Sequence, residues 1–217
     1  MALPPPSLPT SGILGSINIA EVMMKKYIKV ILALLLLLPL SINAEEESWY
    51  TYWSIGLSDN SYTGELDSLL DTLESQPGVD RFEGAIDILG FYWPMQPKTI
   101  LGFVVSGSFD AISTPVGDIQ INQYLYAASA MHFFGKETGD GIFLRGDFGI
   151  AKASFDADTT VGSFEATSDS GTGYLLGIGY GIPVSDESRV LLSINISNKS
   201  IEDEDISAVS FNVGGLW

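Results

Sequence analysis

Six charged residues within alternating apolar segments are the first candidates for chemistry in this 217-residue chain. Side chains two positions apart in a strand share a face, so these residues lie opposite the apolar face of their own segments. Charges that are enclosed in a protein have to be paired. The pattern therefore predicts one enclosed ion-pair network, which would be either a structural plug or a narrow, gated polar path. Its members are Arg81, Glu83, Asp87, Arg145, Asp147 and Arg189.

His132 is the single histidine, and Ser129 precedes it by three residues. A serine nucleophile needs a histidine within hydrogen-bond reach and an acidic residue that orients the ring. A spacing of three places two strand side chains on opposite faces. The sequence thus disfavours a Ser/His pair. We predict no catalytic residue, no cofactor and, because the chain has no cysteine, no thiolate metal site.

Carboxylates are concentrated in two polar connectors. Hard cations such as Ca²⁺ and Mg²⁺ prefer oxygen ligands, but neither connector has the ligand spacing of a dedicated calcium loop. Two interpretations stay open, namely solvated acidic loops and cation-bridged contacts with phosphate groups. The residues concerned are Asp156, Asp158, Glu165, Asp169, Glu202, Asp203, Glu204 and Asp205.

The charge balance excludes one class of partner. The formal net charge is -17 and the pI is about 4.1. A nucleic-acid-binding protein needs a Lys/Arg surface that neutralises phosphates, and this chain has the opposite balance. Nucleic acid is therefore not an expected partner.

The N-terminal part contains a targeting pattern, "MMKKYIKVILALLLLLPLSINAEEE". Basic residues precede an apolar run that is shorter than a membrane-spanning helix, and a small-residue site ends at Ala44. We predict a secretory signal peptide over residues 23–44. Residues 1–22 have no place in such a signal and are interpreted as a non-native or mis-called start. Residues 45–217 form the predicted mature domain.

The mature domain repeats one sequence pattern, in which apolar residues alternate with small or polar ones over about ten positions. Short turns containing Pro or Gly alternate with longer, acidic connectors, which is typical of an up-and-down meander. The fourth segment changes its apparent phase near Gln123, which a bulge or an overhang would explain. The eight predicted strands cover about 49–58, 81–93, 99–110, 119–134, 141–155, 172–183, 188–199 and 206–217.

The first long connector contains leucines at helical spacing. Leu66, Leu69, Leu70 and Leu73 alternate with acidic residues, and Pro77 ends the pattern. We predict a short amphipathic helix. It would either cover the rim of its own domain or contact lipid or a partner.

The chain ends on "FNVGGLW", in which Val209, Phe211, Val213 and Trp217 share one face and Ser210 and Asn212 share the other. A closed barrel in a bilayer places such an apolar face against lipid and leaves no sheet edge unpaired. Aromatic residues at the strand ends are expected to form interfacial girdles. These are Trp49, Trp53, Tyr92, Trp93, Phe133, Phe134 and Trp217.

The signal pattern and the segments "FLRGDFGIAKASF", "GTGYLLGIGYGI" and "VSFNVGGLW" resemble the small eight-stranded outer-membrane β-barrels of Gram-negative bacteria, the OmpA/OmpW-like superfamily. The resemblance implies an all-β, antiparallel up-and-down barrel in the bacterial outer membrane. It implies that the barrel-assembly machinery reads the last strand through Val209, Phe211, Val213 and Trp217. Lipid and lipopolysaccharide are the other expected partners, the latter at the acidic connectors.

The sequence favours a non-enzymatic role, either structural or in surface interaction. A narrow, porin-like pore for small solutes is the alternative, and an outer-membrane lipid-modifying enzyme is a weaker one. A soluble calycin-type barrel in the periplasm is a further rival. The fold hosts all of these activities, so the resemblance alone does not separate them.

Overall fold

A computed structural model describes residues 49–160, 162–202 and 204–217 of the chain. The predicted signal peptide, the segment before it and Asp203 lie outside these residues. The described chain forms nine strands and one helix, α1 (Gly64–Glu74). The strands are β1 (Tyr50–Ser61), β2 (Asp80–Gln96), β3 (Thr99–Thr114), β4 (Gly117–Phe133), β5 (Gly141–Thr159), β6 (Gly162–Thr167), β7 (Gly171–Pro183), β8 (Arg189–Ile201) and β9 (Glu204–Leu216).

Eight of these strands close into an antiparallel barrel. Each pairs with its neighbours along the chain, β5 continues to β7, and β9 returns to β1. The seam between the first and last strands is fixed by Tyr52 opposite Leu216 and by backbone bonds between Thr51 and Trp217. The predicted eight-stranded up-and-down barrel is confirmed. Closure leaves no unpaired edge within the ring, as a bilayer requires.

The outer surface of the barrel carries a broad apolar belt. Ile194, Ile196, Val209 and Phe211 are all about half exposed, whereas Ser193, Asn195, Ser210 and Asn212 between them are buried inside. The predicted alternation therefore separates a lipid-facing surface from a polar interior. The first residues of β1, the last residues of β9 and the short turns lie at one end of the barrel, which is the periplasmic end in barrels of this type.

One strand departs from the predicted alternation. A β-bulge between Asp87 and Leu89 in β2 shifts the register against β1 and β3. The extra residue reverses the side on which the later side chains point. Tyr92 is consequently fully buried in the lumen, and its predicted place in the aromatic girdle is wrong. Phe133 is likewise buried inside, whereas Trp49, Trp93 and Phe134 are exposed.

The strands continue past the predicted connectors at the extracellular end. The residues around 111–118 were expected to form a long loop, but β3 and β4 pair up to Thr114 and Gly117 and turn tightly. The loop expected over residues 156–171 instead contains the end of β5 and the short strand β6. β4 shows no register shift near Gln123, because this polar side chain simply points into the lumen.

Helix α1 confirms the helical spacing found in the first connector. Leu70 is buried against the barrel, and Leu69 on the neighbouring face is 49% exposed. Glu204 at the start of β9 accepts a hydrogen bond from the backbone N–H of Glu65 at 3.2 Å, so a carboxylate caps the helix N-terminus. In the described part of the chain, no helix has the length and apolarity to span a membrane.

Candidate functional site: the closed lumen and the extracellular rim

An apolar floor closes the lumen at the periplasmic end. The rings of Phe133 and Phe143 are 5.3 Å apart, and both side chains are almost completely buried. Further buried residues of the same hydrophobic core come from neighbouring strands. These are Tyr92, Ile100, Met131, Leu191 and Leu216.

A charged layer centred on Arg145 lies directly above the floor. Its guanidinium contacts both oxygens of Asp87, at 2.8 and 2.9 Å, and it reaches Asp147 at 2.6 Å. Tyr52 and Ser54 donate to Asp87 at 2.9 and 2.5 Å. The three charged side chains are at most 3% exposed. Every charge is therefore paired by bidentate or charge-assisted bonds, the arrangement that a buried ion pair requires.

Ser129 connects this layer to the opposite wall. Its hydroxyl donates to Asp147 and lies 2.7 Å from the hydroxyl of Tyr92. His132 is exposed on the outer surface, where Nδ1 lies 2.9 Å from the hydroxyl of Thr99. The two residues thus point to opposite sides of β4. Ser129 and His132 therefore cannot form the hydrogen-bonded Ser/His pair of a hydrolase.

A small cavity occupies the middle of the lumen. About 20 Å³ is available to the centre of a water molecule, which is room for about one water. Ser106, Asn195 and Asn212 line it, and each has a buried side-chain oxygen without a hydrogen-bond partner among the described residues. Polar side chains make up most of the lining, and the volume is far too small for a channel.

Lys199 forms the upper wall of the cavity. Its ammonium donates to Ser108 at 3.1 Å and to Gln123 at 3.4 Å, and the residue is 2% exposed. Gln123 in turn donates to the hydroxyl of Tyr62 at 2.6 Å. Hydrogen bonds therefore connect the middle of the lumen to the extracellular rim.

A second charged cluster lies at that rim, around Arg81. The guanidinium contacts Glu74 of α1 at 2.6 Å, Glu83 at 2.6 Å and Asp110 at 2.5 Å. Tyr62 also donates to Asp110. Burial, together with this carboxylate, raises the pKa of Tyr62 well above its usual value, since both oppose ionisation of the phenol.

An apolar roof lies beside this cluster at the barrel mouth. This roof consists of Leu70 of α1 and the strand residues Ile112, Ile121, Ile201 and Ile206, which are core residues at most 4% exposed. Since α1 is fixed at its N-terminus by Glu204 and at its C-terminus by Glu74 on Arg81, the helix closes the barrel mouth. The interpretation of α1 as a cover for its own domain fits this contact.

The structure divides the six predicted network residues among three places. It brings Asp87, Arg145 and Asp147 together in the lower layer, and Arg81 with Glu83 at the rim. Arg189 joins neither group: it donates to the carbonyl oxygens of Thr138 and Asp186 at the periplasmic end. The expected single network is therefore not formed, because these residues lie at three different depths.

The acidic connectors have mixed roles. Glu202 accepts a bond from the backbone N–H of Asp169 at 3.0 Å, and Glu204 caps α1, so both carboxylates bind the chain itself.

The other acidic residues of these connectors lie beside further carboxylates or are exposed. Asp156 lies opposite Glu165 in the β5–β6 register. Among the described residues, no three acidic or histidine side chains are arranged to hold a metal ion. Asp205 is exposed beside this cap, Asp158 lies opposite Asp118, and Asp203 is outside the described residues.

The last strand presents its predicted apolar face. Val209, Phe211 and Val213 are 42–52% exposed on the outer surface. The ring of Trp217 lies edge-on to Trp53 at 6.1 Å and covers Gly215, where a Cβ would approach the indole to 2.3 Å. Gly215 thus leaves the space that the terminal indole occupies.

Sequence reasoning missed Lys199, Tyr52, Asp110 and Glu74. Lys199 and Asp110 each lie two positions from a polar residue that faces inward, so the alternation pattern could have identified both. Tyr52 lies next to a bulge, and Glu74 belongs to a helix whose docking position no strand pattern specifies. Their contribution depends on closure of the ring.

A scan against protein-family models and a search of curated proteins each find no match. Solved structures do match. Neisserial surface protein A is 12% identical, with a TM-score of 0.51, and the match covers 78% of this chain and 96% of that one. Ail, the attachment invasion locus protein of Yersinia pestis, is 12% identical at a TM-score of 0.45, covering 79% and 100%. The outer membrane protein OprG of Pseudomonas aeruginosa is 12% identical at 0.41, covering 82% and 99%.

The chain thus has the fold of the small bacterial outer-membrane β-barrels, and the resemblance found in the sequence is confirmed at the level of fold. A closed ring with an apolar outer belt and a polar interior is suited to a bilayer and not to water. Fold and belt together place the protein in the bacterial outer membrane, as predicted. The fold does not specify an activity.

Proposed function

We propose that this protein is a non-enzymatic outer-membrane barrel that acts through its extracellular surface and as a structural element of the membrane. The observation that carries this proposal is the closed lumen. An apolar floor, the Arg145 layer, the Arg81 cluster and the Leu70 roof succeed one another along the barrel axis. Such a series leaves no continuous aqueous path.

Single-channel recording in planar bilayers tests the proposal. We expect no conductance steps from the purified barrel. Arg145→Ala combined with Phe143→Ala removes the lower layer and part of the floor, and serves as a variant that should conduct. Regular steps from the unchanged protein would overturn the proposal in favour of a pore.

The narrow pore stays the second candidate function. It is favoured by one observation, the chain of polar side chains that runs from Lys199 through Gln123 to Tyr62 at the rim. For a pore, the Arg145 layer would have to rearrange under voltage. A lipid-modifying enzyme is disfavoured by the separation of Ser129 from His132, and an unchanged lipid A profile in cells carrying His132→Ala would exclude this histidine from such chemistry.

Assembly into the membrane is proposed to depend on the face formed by Val209, Phe211, Val213 and Trp217. This face is exposed, and Trp217 secures the β1–β9 seam through two backbone bonds to Thr51. Deletion of Trp217 should abolish both the outer-membrane yield and the heat-modifiable shift on gel electrophoresis. Full yield of the deleted chain would contradict this role.

Lipid and lipopolysaccharide are proposed as the surroundings of the outer face. Asp156 and Asp158 share the outward parity of Phe148 and Ile150, so they lie above the lipid belt. Divalent cations between these carboxylates and lipid phosphates would stabilise the barrel. Chelation with EDTA in lipopolysaccharide bilayers should then lower stability more for the unchanged protein than for Asp156→Asn/Asp158→Asn.

A further inference from the structure

Strand β6 has a partner on one side only. It pairs antiparallel with the outer end of β5, and the sheet order ends with it in the described part of the chain. The strand lies beyond the barrel ring at the extracellular end, and all but one of its residues are exposed. An open strand edge of this kind is a template for a further strand.

The pairing pattern shows which backbone groups face this edge. The backbone N–H of Ser168 donates to the carbonyl of Ala153 at 2.9 Å, so residues of even number bond towards β5. Antiparallel pairing alternates, and Ser163, Glu165 and Thr167 therefore direct their N–H and C=O groups outward. No hydrogen bond from a described residue reaches these groups.

Asp169, the next odd-numbered residue, also directs its backbone N–H outward, and this group has an acceptor. The backbone N–H of Asp169 is bonded by the Glu202 carboxylate at 3.0 Å. The Glu202 carboxylate thus occupies the edge next to Asp169. The outward backbone groups without a partner among the described residues are those of β6. A segment of an additional strand about three to six residues long would pair with it.

The two faces of β6 differ in chemistry. Phe164 is 62% exposed and its ring stacks edge-on to Phe155 at 6.3 Å, which makes one face apolar. Glu165 lies on the other face opposite Asp156, in a sheet where Asp118 lies opposite Asp158. A strand added at this edge would continue both faces.

A second copy of this chain fits the edge poorly. Antiparallel pairing of two β6 strands would bring the acidic faces of both copies together, and like charges across strands are destabilising. The exposed surface nearby offers little compensation, since Lys152 is the one basic residue exposed above the belt among the described residues. Charge complementarity instead calls for a basic strand.

We propose that the β6 edge binds an extended segment of a partner protein in which basic residues alternate with apolar ones. The backbone of the segment would pair with Ser163, Glu165 and Thr167. Its basic side chains would face Glu165 and Asp156, and its apolar side chains would cover Phe164. This is strand addition, in which main-chain bonds give affinity and alternate side chains give specificity. The proposal rests on the proposed surface role and names its partner class.

The test uses the whole barrel in phosphatidylcholine nanodiscs and a labelled peptide in which lysine and valine alternate over about six residues. Binding is measured by fluorescence anisotropy against empty nanodiscs. Two control peptides have glutamate in place of lysine, or the same lysines and valines in two blocks. We expect saturable binding of the alternating peptide alone.

Two variants examine the edge. Glu165→Pro removes an outward N–H without touching the bonds to β5, and should weaken binding about tenfold or more. Glu165→Lys keeps the backbone groups but reverses the charge, and should weaken it at least two- to fivefold. Asp59→Lys, on an exposed acidic residue of β1, makes the same charge change away from the edge and should leave binding unchanged.

Equal binding by the Glu165→Pro barrel, or equal binding of the block peptide, would overturn the proposal. Concentration-dependent dimers that Glu165→Pro dissolves would also overturn it, in favour of a second copy. The heat-modifiable gel shift of each variant verifies that the barrel is folded. Because conductance is measured separately, a conducting barrel that binds the peptide would refute the proposed function and leave this inference standing.

Discussion

Two arginines neutralise carboxylates inside this barrel, and their surroundings differ. Arg145 binds Asp87 and Asp147 with a side chain that has no exposed surface, whereas Arg81 binds three carboxylates at the rim with a side chain 19% exposed. Glu74 and Glu83 at the rim are 42% and 22% exposed, so water can solvate them if Arg81 is removed. Asp110 is buried but keeps Asn60 and Tyr62 as hydrogen-bond donors. The side chains of Arg145 and Asp147 in the lower layer have no exposed surface, so we expect burial, and not the number of ion pairs, to set the energetic importance of each arginine.

Replacing Arg145 has the largest expected effect. Arg145→Met leaves two buried carboxylates without a cation, and should lower the free energy of unfolding by about 3–5 kcal/mol. Urea titration of the barrel in phosphatidylcholine bilayers, followed by the heat-modifiable shift, measures it. Asp87→Asn and Asp147→Asn added to this variant should restore most of the loss. An unchanged midpoint for Arg145→Met would show that the layer is solvated.

The roof gives the next largest effect. Leu70→Ala removes a buried side chain from the contact between α1 and the barrel, and should weaken helix docking by about 2 kcal/mol or more. Hydrogen exchange of the α1 amides should accelerate about thirtyfold. Leu69→Ala, one residue earlier and exposed, is the matched control. If both variants exchange alike, α1 does not close the mouth.

Arg81→Met sharpens the comparison directly. Glu74 and Glu83 gain water when they lose this partner, and buried Asp110 keeps two other hydrogen-bond donors. We therefore expect a cost of about 1–2 kcal/mol in the same urea titration. Exchange in the last turn of α1 should also increase, because Glu74 loses its contact. A cost equal to that of Arg145→Met would show that the number of ion pairs outweighs burial.

Alkaline pH gives the smallest effect. The raised pKa of Tyr62 means that its contribution to stability is complete below the unfolded pKa of about 10 and is lost as the pH rises above it. We expect a loss of about 0.8 kcal/mol at pH 10.5 relative to pH 8. Tyr62→Phe should not show this additional loss. The difference between the two urea midpoints at both pH values measures it.

The strands were predictable because alternation is a local property. Ile194 and Ile196 against Ser193 and Asn195 already separate a lipid face from an interior, and the structure agrees. The bulge in β2 was not predictable, since "IDILG" alternates equally well with or without the extra residue. Tyr92 was therefore assigned to the wrong side, although its strand was correct.

The sequence predicted several of the charged residues that point into the barrel, but not which of them contact one another. Alternation along the strands correctly placed Arg145, Asp87 and Asp147 inside the barrel. It does not tell how far along the barrel axis each side chain lies. Arg189 shares the inward face and still lies at the periplasmic end, where it bonds the turn carbonyls. The depth of a side chain depends on the stagger between strands, which is set when the ring closes.

The sequence by itself determined the class of structure, because a period of two, an apolar face and an aromatic end are written residue by residue along the chain. The tertiary structure decided which charges meet, that α1 closes the mouth and that the edge of β6 stays open. These outcomes depend on contacts between residues far apart in the chain, such as Glu65 with Glu204 and Arg145 with Asp87. Such contacts exist once the first and last strands have paired.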